Sequence, residues 1–334
     1  VSLATEDTHL PTLRRALDPG LASEAIRRAL AGVRSSSLPD LARVELVKHR
    51  PGRRCVIRYV FGSDGGNADL VVIGKVRAKG VDRRVDRIAR DLRARGFAEG
   101  GGKRFVVPEP LGVVPELALN LQRGYPGRSV STLLSSDEID SSRLFQIGAS
   151  LGEVHRDGPL AERVHGVEHE LSLLEREVAR VAIGRSALAS RIERLLDSAR
   201  RAAAAVADRP HVAVHRDFHP DQILADGSSL VLLDLDLYAM GDPMLDVSNF
   251  VAHLREQALR ERGRADEWEA HEKAFLAGYR SVRSGALDRG TLEAWLFLSL
   301  LRHVAIASRM PERRPYVDAI MALCESSEVH AKAN

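Results

Sequence analysis

His215-Arg216-Asp217-Phe218-His219-Pro220-Asp221-Gln222, followed twelve residues beyond its last member by Asp234-Leu235-Asp236, decides how this chain is read. Two short apolar runs, Val212 to His215 and Leu230 to Leu235, flank the segment and read as strands. The polar residues therefore fall on a loop, with a turn at Asp226-Gly227. A hydroxyl that attacks phosphorus must lose its proton, and Asp217 is a carboxylate available to orient it. Asp234 ends the apolar run LVLLD, where core packing gives no reason for an acid. Magnesium takes oxygen ligands, usually only one or two of them from protein, so Asp234 and the Gln222 amide are candidate ligands. Such a set suits phosphoryl transfer from a magnesium-bound nucleotide to a hydroxyl or amine. The same loop admits another reading, with His215, Asp217, His219 and Asp221 as metal ligands of a hydrolase. That reading leaves Lys75 and Asp234 unexplained.

Around this segment lies a chain of 334 residues, long enough for two domains or lobes, with 44% hydrophobic and 28% charged residues. Two cysteines, Cys55 and Cys324, argue against a disulfide framework and for a reducing, cytoplasmic setting. No secretory h-region is seen, and the longest apolar stretch, Ala294 to Leu301, is too short to span a bilayer, so it reads as a buried helix and no membrane partner is expected. Lys and Arg outnumber Asp and Glu by 23 to 14 in residues 1–123, a balance of +9, whereas the remaining 26 against 32 give −6. A basic first lobe suits a nucleotide, and an acidic second lobe favours an amine-bearing or neutral acceptor. With aromatics at 4%, nucleic acid is not an expected partner.

Along the chain, Thr8 to Leu17 and Leu21 to Val33 read as short helices on either side of Pro19-Gly20. Arg43 to Lys48 and Arg54 to Phe61 form a hairpin around Pro51-Gly52, and Gly62 to Asn67 is a turn leading to a third strand, Leu70 to Ala78. Val81 to Arg95 is an amphipathic helix with Val85, Ile88, Ala89 and Leu92 on one face. Leu111 to Val114 and Ala118 to Gln122 are two further strands. Together these predict a five-stranded antiparallel sheet with one main helix. Beyond Gly124 helical periods dominate: Ser141 to Arg156, Val167 to Val181, Ala187 to Ala207, Pro243 to Leu259, Asp266 to Arg283 and Thr291 to Ser308. The expected division is therefore 1–123, with 1–40 as a helical extension, and 124–334. In Gly241-Asp242-Pro243, Asp242 is an N-cap with Pro at N1.

This order of parts resembles the aminoglycoside phosphotransferase and choline kinase family, relatives of the protein kinases. The resemblance runs from about Arg43 to the C-terminal helices and is sharpest over His215 to Asp246; residues 1–40 lie outside it. It implies an α+β, protein-kinase-like fold of two lobes and a small-molecule kinase that uses ATP and Mg2+. Asp217 is then the catalytic acid and Asp234 the metal-binding acid, and Asp236, where relatives often have an acid, is a further metal or acceptor ligand. Gln222 departs from the family's Asn, and its extra methylene moves the amide oxygen by roughly 1.5 Å. That departure keeps an inactive, nucleotide-binding pseudokinase open as the alternative. Lys75, in an apolar strand, corresponds to the lysine that holds the nucleotide phosphates, with Arg77 on the same face. Its helix partner matches Asp86, with Asp82 as second choice. Arg53 and Arg54 occupy the phosphate-covering turn, where backbone amides would help. The stretch Leu119 to Gly124, Gln122 included, matches the hinge that pairs with the base. His215 and His219 read as structural, and Asp246 as a brace for the loop. The expected partner is a small acceptor (an aminoglycoside, an amino-alcohol or a sugar-like molecule), and the protein is expected to be a monomer or homodimer.

Overall fold

In the computed structural model, residues 7–31, 38–62, 70–183, 185–285 and 287–332 are described. The predicted helix end at Val33 and the predicted turn after Gly62 lie outside them. The chain divides into two compact units, Val1–Gly102 with Val106–Gly127 and Val231–Leu233, and Lys103–Phe105 with Arg128–Leu230 and Asp234–Asn334.

The first unit is built on strands Leu41–Arg50, Arg54–Phe61, Leu70–Arg77, Leu119–Arg123 and Pro110–Val114, in that spatial order and all antiparallel. Successive side chains of a strand point to opposite faces. Cys55, Ile57, Tyr59 and Phe61 accordingly share one buried face with Leu70, Val72, Val76, Leu119 and Leu121. What covers that face is the supposed extension. Helices Leu13–Leu17 and Pro19–Leu30 bury Leu13, Ala16, Ala22, Ile26 and Leu30 against it. Each buried Leu or Ile contributes about 2 kcal/mol. Asp18 caps the second helix by accepting from Leu21 N–H at 2.9 Å, with Pro19 at N1. The Tyr59 hydroxyl donates to the Ala16 carbonyl at 2.8 Å and Thr12 to the Leu117 carbonyl at 2.8 Å. A glycine stands at 74 because a Cβ there would lie 2.8 Å from Tyr59 Cε2 and from Leu119 Cδ1.

The amphipathic helix is shorter than its periodicity predicts. It spans Arg83–Leu92, is capped by Asp82, and opens into a π turn, Arg93–Phe97, ended by Gly96 at φ 96°. Ala118 is not part of a strand: it follows the 3₁₀ turn Pro115–Leu117 with φ 51°, and pairing begins at Leu119.

The second unit is mostly helical: Val130–Ser135, Ser141–Asp157, Val167–Ala182, Ala189–Ala205, Met244–Arg262, Glu269–Val282, Arg289–Arg309 and Val317–Lys332. The last lies beyond the predicted helices, yet Val317, Ile320, Met321 and Cys324 follow the i, i+3, i+4, i+7 rule and are all buried. Gly148 and Gly278 let helices Ser141–Asp157 and Glu269–Val282 meet closely, since a Cβ on either would strike the other's backbone. Arg289–Arg309 is long and apolar enough to cross a membrane, but 67% of its apolar window is buried, as in a core helix. Ile223–Asp226 adds a strand that the sequence did not predict; it neighbours Ser229–Leu232 and pairs with Arg128–Ser129.

Candidate active site

The loop that follows Val212–Val214 is held from outside. Asp246, fully buried in the first turn of helix Met244–Arg262, accepts from His215 N–H at 2.6 Å and from Arg216 N–H at 2.7 Å. The same carboxylate lies 3.0 Å from His155 Nε2, and His155 Nδ1 lies 2.9 Å from the Tyr279 hydroxyl. Asn249 donates to the Phe218 carbonyl at 3.0 Å, and Phe218 is buried among Phe105, Phe250 and Phe275. Asp242 caps the same helix, accepting from Met244 N–H at 2.8 Å. These contacts hold a backbone that the residue type disfavours. Arg216 sits at φ 70°, a left-handed conformation that costs a non-glycine residue about 1–2 kcal/mol.

Asp217 stands next. Burial pushes its pKa up, but the neighbouring His219, His215 and Arg302 outweigh that and hold the carboxyl well below its usual range. Asp217 Oδ2 accepts from Gln222 Nε2 at 3.2 Å and lies 3.8 Å from His219 Nε2. The 3₁₀ turn Pro220–Gln222 brings Gln222 back to the acid, and His219 Nδ1 accepts from Asp221 N–H at 3.3 Å. Asp217, His219 and Gln222 thus converge within one loop. Asp234 takes φ 60° between the strand and the 3₁₀ turn Leu235–Leu237, where Asp234 and Asp236 are half-buried and Leu235 is buried. The hydrolase cluster does not form. His215 is fully buried, its Nδ1 accepting from Asp217 N–H at 3.3 Å, and His219 stacks on His253. Among the described residues no three His, Cys, Asp or Glu side chains converge as metal ligands.

In the first unit, cross-strand register sets the face of the sheet opposite helices Leu13–Leu17 and Pro19–Leu30. Lys48, Val56, Lys75 and Asn120 form one row, Arg50, Arg54 and Arg77 a second, and Arg58, Ile73 and Gln122 a third. Lys75, Arg77 and Gln122 are half-buried there, while Arg53 is exposed at the turn. Asp86 pairs with Arg90 at 2.9 Å, one turn along its helix. Arg53 N–H donates to the Arg50 carbonyl at 3.0 Å, and Gly52 N–H to Asp7 Oδ2 at 2.8 Å. The expectation that these turn amides cover phosphates is therefore corrected: both already have acceptors, and the turn offers side chains.

A family model described as the phosphotransferase enzyme family (APH) matches residues 72–284, well over half of the chain. The chain belongs to that family. Small-molecule kinases make up this family, and their class is that of ATP-dependent phosphotransferases acting on hydroxyl acceptors. Among solved structures, a spectinomycin phosphotransferase, APH(9)-Ia, determined with ADP and spectinomycin, is 13% identical with a TM-score of 0.58 over 87% of this chain and 94% of its own. Choline kinase from Cryptosporidium parvum Iowa II is 12% identical, with a TM-score of 0.62 over 94% of this chain and 96% of its own. A glucosamine kinase determined with glucosamine, ADP and inorganic phosphate is 15% identical, with a TM-score of 0.55 over 93% and 82%. At these identities the likeness is one of fold, the kinase-like α+β fold expected from the sequence. No curated protein matches the chain.

Two positioning residues of this phosphotransferase escaped sequence reasoning. Asn120, directly across from Lys75, accepts from Asp82 N–H at 2.9 Å and donates to the Asp82 carbonyl at 3.0 Å, tying the helix start to the sheet. A polar residue between Leu119 and Leu121 was the available signal. Asp7 lies outside the family match and carried no signal, yet its carboxylate holds both Gly52 N–H and, at 2.9 Å, His49 Nε2.

Proposed function

We propose that this phosphotransferase moves the γ-phosphoryl group of ATP to a hydroxyl of a small acceptor, with Asp217 orienting that hydroxyl. The observation that carries the reading is the convergence of an ionised, braced Asp217 with the Gln222 amide inside a chain of this family. A bond forms between the acceptor oxygen and the γ-phosphorus while the bond to the β–γ bridging oxygen breaks and ADP leaves. The acceptor's proton passes to Asp217 and then to solvent. A carboxylate with a depressed pKa is a weak base, so it works by orienting the nucleophile and taking the proton late, as a loose transition state allows.

Asp234, Gln222 and Asp236 are hard oxygen donors that suit magnesium. Gln222 spends its amide nitrogen on Asp217, which leaves its oxygen as the ligating atom and favours a working enzyme over an inactive one. Bound magnesium would neutralise charge on the β- and γ-phosphates. Lys75 and the row Arg50, Arg54, Arg77 supply positive charge for those phosphates, and Gln122 belongs to the stretch that meets the base. ADP in the spectinomycin phosphotransferase and the glucosamine kinase supports ATP as the donor.

The test is magnesium-dependent ADP release over sugars, aminoglycosides and amino-alcohols, comparing the protein with Asp217→Asn. Turnover should fall by about 10²–10⁴-fold in the variant. Equal rates in both proteins would overturn the assignment.

A further inference from the structure

Helices Val167–Ala182 and Arg289–Arg309 run side by side in the same direction, because two ion pairs advance together along them. Glu170 pairs with Arg302, and seven residues further on in both helices Glu177 pairs with Arg309. Seven residues are about two turns, or roughly 10 Å. The two helices therefore end at one place, and there a cavity of about 420 Å³ opens. That volume is of the size that takes a small molecule. No residue of the loop His215 to Gln222 lines it.

Arginine dominates the cavity wall. Arg180 and Arg309 stand in the last turns of the two helices, where the dipole favours a cation, and both pair with Glu177. Arg185 and Arg314 also line the cavity but lie beyond those helix ends, so neither reason accounts for them. Among the described residues, neither guanidinium has a carboxylate or hydrogen-bond partner. Their backbones are nonetheless fixed, Arg185 N–H donating to the Ala182 carbonyl at 3.0 Å and Arg314 N–H to the Met310 carbonyl at 2.9 Å. Other arginines of this unit are matched: Arg200 meets Glu175 and Asp197, and Arg191 meets Glu325 and Asp318. Glu312, two residues before Arg314, is exposed and does not line the cavity.

Four lining guanidiniums against the single carboxylate of Glu177 give +3. The carbonyl ends of two helices offset about half a charge each, which leaves roughly +2. A phosphomonoester carries about −1.5 to −2 at neutral pH, so it balances the cavity where a monocarboxylate would not. Its oxygens also suit the guanidinium fork. The rest of the wall includes apolar side chains. Val181 is buried, whereas Ile183 is 78% exposed and has no packing partner that would explain an apolar residue there unless a ligand covers it.

We propose that this cavity is a second ligand site and binds a phosphorylated small molecule, its phosphate held by Arg185 and Arg314 and its organic part resting on Val181 and Ile183. The site does not depend on the role given to Asp217. A polymer such as RNA would need a basic path that continues past the cavity, but Arg176 and Arg200 on the same helix pair are already matched with Glu177 and Glu175.

The experiment is calorimetric titration of the full chain at low salt with glucose 6-phosphate, inorganic phosphate and oligouridylate. Glucose 6-phosphate should bind, and Arg185→Ala and Arg314→Ala should each raise its Kd at least about tenfold, as loss of a charge-assisted hydrogen bond does. Neither side chain has a partner to lose, so both variants should melt at the wild-type temperature. Glu177→Gln removes the one negative side chain and should lower the Kd a few-fold, a tightening that a merely structural role would not produce. Inorganic phosphate, with nothing to cover Ile183, should bind at least about tenfold more weakly. No binding of glucose 6-phosphate, or a Kd unchanged in either arginine variant, overturns the proposal. An equal Kd for inorganic phosphate overturns it in favour of a bare anion site. Tighter binding of oligouridylate through the same arginines overturns it in favour of a polymer.

Discussion

The loop His215 to Gln222 and the turn Arg50 to Arg54 are braced in the same way and to different depths. In each, an aspartate distant in sequence accepts the loop's backbone amides, so those amides are occupied and the chemistry falls to side chains. Asp246 takes two amides, is fully buried, and is backed by His155 and Tyr279. Asp7 takes the Gly52 amide and His49, and sits in a segment outside the family match. The deep brace holds a disfavoured backbone at Arg216, whereas Gly52 adopts φ 70° as glycine readily does. The comparison teaches that bracing is concentrated in the loop proposed to orient the reacting hydroxyl, and is lighter at the turn proposed to surround phosphates with charge.

Breaking the deep brace should have the largest effect. Asp246→Ala leaves two amides and His155 without their acceptor, and urea melts should show a loss of about 3–5 kcal/mol together with collapse of ADP release. A loss under 1 kcal/mol would erase the contrast between the two loops.

His165, whose Nε2 lies 3.4 Å from Arg216 of the same loop, pairs with a second buried acid, Glu170. Burial pushes the Glu170 carboxyl up, but Arg302 and His165 outweigh it and bring its pKa down from the usual 4.5 to about 2. A carboxyl depressed on folding stabilises the protein above its unfolded value and loses that contribution as pH falls through the folded value. Glu170→Gln should therefore cost roughly 3 kcal/mol at pH 7, a gap that closes as pH falls from about 4.5 to about 2. A gap unchanged across that window would show that the ion pair is not its source.

Metal dependence separates the side chains within the loop. Gln222→Ala should raise the magnesium concentration for half-maximal ADP release by about 10–100-fold. Gln222→Asn, which keeps an amide oxygen, should stay within a few-fold of the wild type. Equal magnesium curves for Ala and wild type would remove Gln222 from the ligand set.

The smallest effect is expected at the shallow brace. Asp7→Ala should raise KM for ATP a few-fold, lower the melting temperature slightly and leave kcat near its original value. An effect on kcat as large as that of Asp246→Ala would make the two braces equivalent.

Much of this was legible beforehand. The loop HRDFHPDQ and the acid ending LVLLD are contiguous patterns, and strand alternation put Lys75 and Arg77 on one face without coordinates. Segments read only by their periodicity were less exact at their ends, as the helix at Arg83–Leu92 and the strand at Leu119 show. Contacts between residues far apart in sequence left no trace. Nothing in helices Leu13–Leu17 and Pro19–Leu30 announced that they cover the sheet, and nothing in His253 or His303 announced that the two rings touch each other and continue from His219.

By itself the sequence determined the α+β kinase-like fold and the family, and singled out the acid proposed to orient the acceptor, because each rests on local periodicity or on residues adjacent in the chain. Tertiary structure alone decided which amides are occupied, which cations share a face and which imidazoles meet. Those depend on strand register and helix packing, where small changes in how segments meet separate a hydrogen bond from empty space.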